Sequence, residues 1–210
     1  ISGLNISSLT HSVGMWWNQI DPLSGRKYDI VFSNSTQSAY YQLRSITGLT
    51  DAWPFIKFHN QNAIQGGSSS IGEIKNSFFI KNGASYCRHW RDGVLTGEFA
   101  SVVDNNPEWF ADQILIGESN NAAAKNNSLV IYDRVITNSE IQYHVNNLIG
   151  SNLQTVIGLY IYLKIDKAEI LNTGGSDFVG VRDYSGNNHH GEIMNLPAGT
   201  LQEQLDWANA

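Results

Sequence analysis

The acidic residues come first, because paired carboxylates on one strand face can flank a glycosidic bond. None of the eight Glu has an Asp two residues later, so that pairing does not occur here. No G-x-S-x-G elbow, H-E-x-x-H or C-x-x-C is present either. Cys87 is the single cysteine, and His89 stands two residues on, on the same strand face. The pair reads as an ordinary buried thiol beside a histidine, not as a nucleophile with its base.

Two groups of polar and aromatic residues could bind rather than cut. In Asp183-Tyr184-Ser185-Gly186-Asn187-Asn188-His189-His190, alternate side chains Asp183, Ser185 and Asn187 could set three oxygens around Ca²⁺. Only one is a carboxylate, and the competing reading is an Asx turn with Gly186 at φ > 0. His189 and His190 are adjacent and point apart, a poor chelate. In the second group, Trp53, Trp109 and Phe110 fall on expected loops, with Asn105, Asn106 and Asp112 near Trp109. Such aromatics stack on sugars while amides and carboxylates read the hydroxyls, or else they plug the edge of a core. Trp16, Trp17 and Trp90 lie on strands and read as core.

The element around which the rest is organised is Ser128 to Gly150. Leu129 to Tyr132 suit a buried strand. Thr137 with Glu140 forms a capping box. Ile141, Val145, Leu148 and Ile149 make one stripe of a helix over about 138–149, which Gly150 ends. Alternation marks strands at 12–18, 27–33, 84–90, 94–99 and 157–165, and 39–44, 55–58 and 77–80 read as further short strands. Asp92-Gly93 predicts a tight hairpin. Loops are expected at 48–54, 65–70, 104–110 and 120–127, and Trp207 belongs to a short helix or a linker.

The 210 residues suffice for one large domain, or one domain and part of another. A formal charge of −6 and a pI near 5.4 argue against nucleic acid and anionic membranes as partners. Charged residues are only 15%, so Asn, Ser, Gln and Thr must make much of the surface polar. No apolar run approaches the length of a membrane-spanning helix. One cysteine allows no intrachain disulfide. The chain opens on Ile1-Ser2-Gly3 and is expected to be a piece of a longer polypeptide.

The run Ile131-Tyr132-Asp133-Arg134-Val135-Ile136-Thr137, followed by Glu140-Ile141, resembles the closing signature of laminin-G-like domains. These belong to the concanavalin A-like jelly-roll superfamily, here in its microbial or viral form. Ser12 to Asn18, the segment Cys87 to Phe99 and Gln113 to Gly117 are similar to further strands of that family. Val135-Ile136 replaces its usual Ala-Leu. The resemblance implies an all-β, two-sheet antiparallel jelly-roll sandwich with one short C-terminal helix. Residues 1–152 would form the sandwich without the family's first strand. Residues 153–210 resemble the start of such a module, by their strand and the Asp183 turn. They would either complete the sandwich or begin a second repeat.

The expected function is a non-catalytic recognition or structural module of a surface or virion protein, binding glycan or a neighbouring structural protein. The alternative is a carbohydrate-binding module of a polysaccharide-degrading enzyme. Glycan contact is expected at Trp53, Asn105, Asn106, Trp109 and Phe110, and Ca²⁺, the one cofactor candidate, at Asp183, Ser185 and Asn187. The expected setting is a homo-oligomeric or multi-protein assembly on an extracellular surface or virion, without membrane insertion.

Overall fold

A computed structural model describes residues 2–7, 10–19, 27–33, 40–45, 55–56, 64–65, 74–83, 85–100, 110–116, 124–147, 157–165 and 167–210. The strands in chain order are β1 Ser2–Ser7, β2 Thr10–Gln19, β3 Lys27–Ser33, β4 Tyr40–Ser45, β5 Phe55–Ile56 and β6 Ile64–Gln65. They continue with β7 Ile74–Asn82, β8 Tyr86–Arg91, β9 Val94–Ala100, β10 Phe110–Ile116 and β11 Ala124–Tyr132. Helix α1, Asn138–Asn146, precedes β12 Leu159–Lys164, β13 Glu169–Asn172, β14 Asp177–Val181 and β15 Gly191–Glu192, and α2 is Leu201–Ala208.

Two antiparallel sheets make the sandwich, ordered β1-β10-β3-β4 and β12-β11-β2-β7-β8-β9. The all-β expectation and the helix near the C-terminal end hold. A three-stranded sheet, β13-β14-β15, and the pair β5-β6 are additional. Pairing across the chain adds strand where local pattern gives none. β1 pairs with β10 and draws Phe110, read as a loop residue, into the first position of β10, opposite Ser7. Likewise β11 starts at Ala124, within the expected loop, because it pairs with the far end of β2.

The six-stranded sheet is buried on both faces. On one, Gly14, Trp16, Phe78, Ile80, Trp90, Val130, Tyr132 and Tyr162 share a side by register. All the large side chains among them belong to one core cluster with Ile136 and Ile141, the latter from α1. On the other, Val13, Met15, Leu129, Ile131, Ile161 and Leu163 are buried as well. Near-continuous apolar runs such as Leu129 to Tyr132 follow from this double burial. Gly14 is required by the first face: a Cβ there would stand 2.0 Å from Cε1 of the Phe78 ring.

Asp92 and Gly93 form the expected two-residue turn between β8 and β9, both at positive φ, 48° and 79°. Such a primed turn matches the twist of the strands it joins. Helix α1 ends earlier than its apolar stripe predicts. Asn147, at φ −108° and ψ 77°, has left the helix and caps it through its N–H to Tyr143 O.

Candidate functional site

The residues that carry the sequence signature form a clamp on the start of α1. Arg134 makes a two-pronged ion pair with Glu140, through Nη1 at 3.0 Å and through a shorter Nη2 contact. Its Nε donates to Ile157 O at 2.9 Å, so one guanidinium joins the helix to the turn before β12. Glu140 also accepts from Thr137 N at 2.7 Å and completes the capping box. The Arg134 hydrogen bonds hold its carboxyl down at about 2. Beneath the clamp, buried Ser12 on β2 donates to Arg134 O at 2.8 Å and accepts from Ile136 N at 3.1 Å. The motif thus fixes the helix to the sheet.

Helix α1 lies on the sheet through His144, which sequence periodicity misses because it is polar. Its Nε2 shares a 2.6 Å hydrogen bond with the Tyr132 hydroxyl. The rings of Trp16 and Phe78 stand 5.6 and 5.3 Å away, centroid to centroid. Burial keeps the imidazole neutral, with its pKa lowered to about 4.

The Asp183 turn closes the open side of β12. Asp183 Oδ1 accepts from Tyr162 N and Ser185 N, each at 2.9 Å. Oδ2 accepts from Ser185 Oγ at 2.8 Å and His189 N at 2.9 Å. Four donors occupy the roughly four lone-pair positions of a carboxylate. Asn187 turns its Nδ2 towards the carbonyls of Leu159 and Tyr160, 3.0 Å from each. Gly186 takes φ 93°. In this arrangement both Asp183 oxygens and Ser185 Oγ serve one another and the backbone, and Asn187 turns its amide nitrogen to the chain, so the turn as folded holds itself together rather than presenting three oxygens to Ca²⁺. His190 Nδ1 accepts from Asp183 N at 2.9 Å, while the His189 ring packs 4.5 Å from Tyr160. Among the described residues no three His, Cys, Asp or Glu group as metal ligands.

Cys87 and His89 do share a face, and both are buried. Burial pushes the thiol up and the imidazole down to about 3, so neither ionises near neutrality. Thr96 Oγ1 lies 2.6 Å from His89 Nδ1, and Phe79 stacks on the ring at 4.8 Å. The pair is a packed interior feature. Trp16 and Trp90 are core, as expected. Trp53, Asn105, Asn106, Trp109 and Asp112 are another matter. The first four lie outside the described residues; Asp112 and Phe110 are placed only as backbone in β10.

No family model and no curated protein matches this sequence. Solved structures do match it in fold. A putative carbohydrate binding protein from Bacteroides ovatus aligns over 96% of this chain and 56% of its own, at 10% identity and a TM-score of 0.58. The binding domain of botulinum neurotoxin serotype D aligns over 85% of this chain and 49% of its own, at 14% identity and a TM-score of 0.52. A heptameric SAP-like pentraxin from Limulus polyphemus aligns over 67% and 72%, at 9% identity and a TM-score of 0.51. The chain therefore spans about half the length of the first two. These likenesses show the fold alone, an antiparallel jelly-roll β-sandwich.

Proposed function

We propose that this chain is a non-catalytic, laminin-G-like recognition module that binds glycan within a larger surface or virion protein. The observation that carries the reading is the lectin-like jelly roll, matched over 96% of the chain by a structure described as a putative carbohydrate binding protein. The chemistry of the described residues supports it. The clamp on α1 and the Asp183 turn are consumed in holding elements together, and Cys87 and His89 are locked neutral. Recognition then falls to the loop aromatics and amides, Trp53, Asn105, Asn106, Trp109 and Phe110. We read residues 157–210 as finishing the sandwich, a reading supported by the register of β12 on β11 from Ser128–Lys164 to Tyr132–Leu159. Assembly with further copies on an extracellular surface or virion belongs to the same proposal.

The second reading is a carbohydrate-binding module of a polysaccharide-degrading enzyme. One observation favours it: Trypanosoma rangeli sialidase matches 64% of this chain with only 22% of its own, at 14% identity and a TM-score of 0.51. A fold of this kind thus occurs as a minor part of an enzyme's chain. A glycan array with the intact chain tests the proposal. Saturable binding that Trp109→Ala abolishes is expected. Failure to bind any glycan, with the chain folded, overturns it.

A further inference from the structure

Five buried polar atoms with no hydrogen-bond partner lie on one face of the six-stranded sheet: Trp16 Nε1, Asn76 Nδ2, Asn76 Oδ1, Trp90 Nε1 and Ser128 Oγ. They are neighbours. Trp16 stands directly opposite Ser128 on β11 and opposite Asn76 on β7. Trp90 on β8 is opposite Phe78, two residues along β7 from Asn76. Opposed residues of an antiparallel pair share a face, as do residues two apart on one strand. The four residues therefore form one row across four adjacent strands, Ser128, Trp16 and Asn76 in line and Trp90 diagonal to Asn76. None of the four residues exceeds 9% exposure. Among the described residues the one other atom of this kind, His89 Nε2, is on the opposite face.

A buried donor or acceptor left unmet forfeits its hydration with nothing in return, and folded proteins leave few such groups. Breaches of local rules gather where a protein keeps a site. The set has a definite chemistry. It offers two indole N–H donors, a carboxamide that both donates and accepts, and a hydroxyl that does the same. All are neutral, which favours an uncharged partner over an ion. The indoles add flat faces for C–H groups. The row meets solvent at the β8–β9 hairpin: Asn76 N donates to Asp92 Oδ1 at 2.9 Å, and the Asp92 side chain is 41% exposed. There α1 touches the hairpin through Gln142 Nε2 and Gly93 O, 2.7 Å apart.

We propose that the row Ser128–Trp16–Asn76–Trp90 is a binding subsite for the hydroxyls of a neutral sugar residue, entered where Gln142 meets Gly93. It rests on the glycan reading above and is separate from the loop residues named there. Binding separates the helix–hairpin contact and gives partners to the atoms nearest it, those of Asn76 and the two indoles, with Ser128 Oγ at the far end of the row.

The test uses the intact chain and neutral mono- and disaccharides of glucose, galactose, mannose and N-acetylglucosamine. Proton–nitrogen correlation spectra follow the indole N–H signals, assigned with Trp16→Phe and Trp90→Phe, and the Asn76 side-chain NH₂. Expected are saturable shifts of all three groups with a common Kd. Asn76→Leu, which removes two unmet polar atoms, should stay folded and bind at least 10-fold more weakly. Each Trp→Phe variant keeps a ring in place and should lose several-fold. If a sugar binds while these signals stay still, or the variants bind it unchanged, the subsite is overturned and the glycan reading stands. If neither these sugars nor an array glycan binds the folded chain, both fall.

Discussion

Single residues decide how tightly this sandwich can close. Gly14→Ala sets a methyl against the Phe78 ring at 2.0 Å, in a core with Trp16 and His144 behind it. Overpacking of that kind should cost on the order of 1–3 kcal/mol, read from the denaturant midpoint. Asp183→Ala strips the acceptor from Tyr162 N, Ser185 N and His189 N together. Several buried or half-buried donors losing a charged acceptor should cost roughly 3 kcal/mol. Because that carboxylate is already filled, adding Ca²⁺ or a chelator should leave the Tm of the intact chain unchanged; a calcium-dependent rise would show that the turn opens to a cation. Part of this was readable from residue types. Asp183, Ser185 and Gly186 announce a turn, but that their bonds reach β12 depends on a contact more than twenty residues away.

At the scale of the element, α1 is held by polar groups whose charge state matters. Removing the capping hydroxyl with Thr137→Ala should cost about 1 kcal/mol. His144 brings a pH dependence with a definite sign. Unfolded, it takes a proton near 6.5, whereas beneath α1 it does so only at about 4. Its contribution is full above 6.5 and is lost as pH falls towards 4. Glu140, held at about 2 against 4.5, extends the loss at lower pH. Tryptophan fluorescence and denaturant midpoints should therefore fall from pH 7 to pH 4, and His144→Phe should remove part of the upper fall, buried His89, held at about 3, supplying the rest. The helix and its cap were legible in Thr137, Glu140 and Ile141. Its anchor was not, since a histidine breaks the apolar stripe that periodicity follows. Its length was overestimated because Leu148 and Ile149 continue the stripe beyond the point where Asn147 leaves the helix.

For the whole molecule, the sheet order matters more than any strand. β11 is flanked by β12 and β2, and Leu159, Ile161, Tyr162 and Leu163 of β12 are buried beside it. A chain ending at 156 should lose cooperative unfolding and solubility, because it bares the β11 edge. If residues 157–210 instead began an independent repeat, that shortened chain would unfold as cooperatively as the full one. Local alternation revealed most strands, including β12. It gave no hint of β1, nor of the extra residues in β10 and β11, since those are created by partners distant in the chain. The candidate binding loops were legible only as residue types, whereas the polar row beneath α1 was hidden. Trp16, Asn76, Trp90 and Ser128 look unrelated until strand order sets them side by side.

The bond from Ser12 to Arg134 spans 122 residues, and it ties β2 to the turn that follows its neighbour β11 in the larger sheet. During synthesis β2 leaves the ribosome long before β11 exists to sit beside it. Until then, its two apolar faces have one neighbouring strand at most. Nascent molecules should thus pass through a prolonged sticky interval, fold slowly, and gain yield from chaperones or from slower growth. On the reading proposed above, the last quarter of the polypeptide ends that interval.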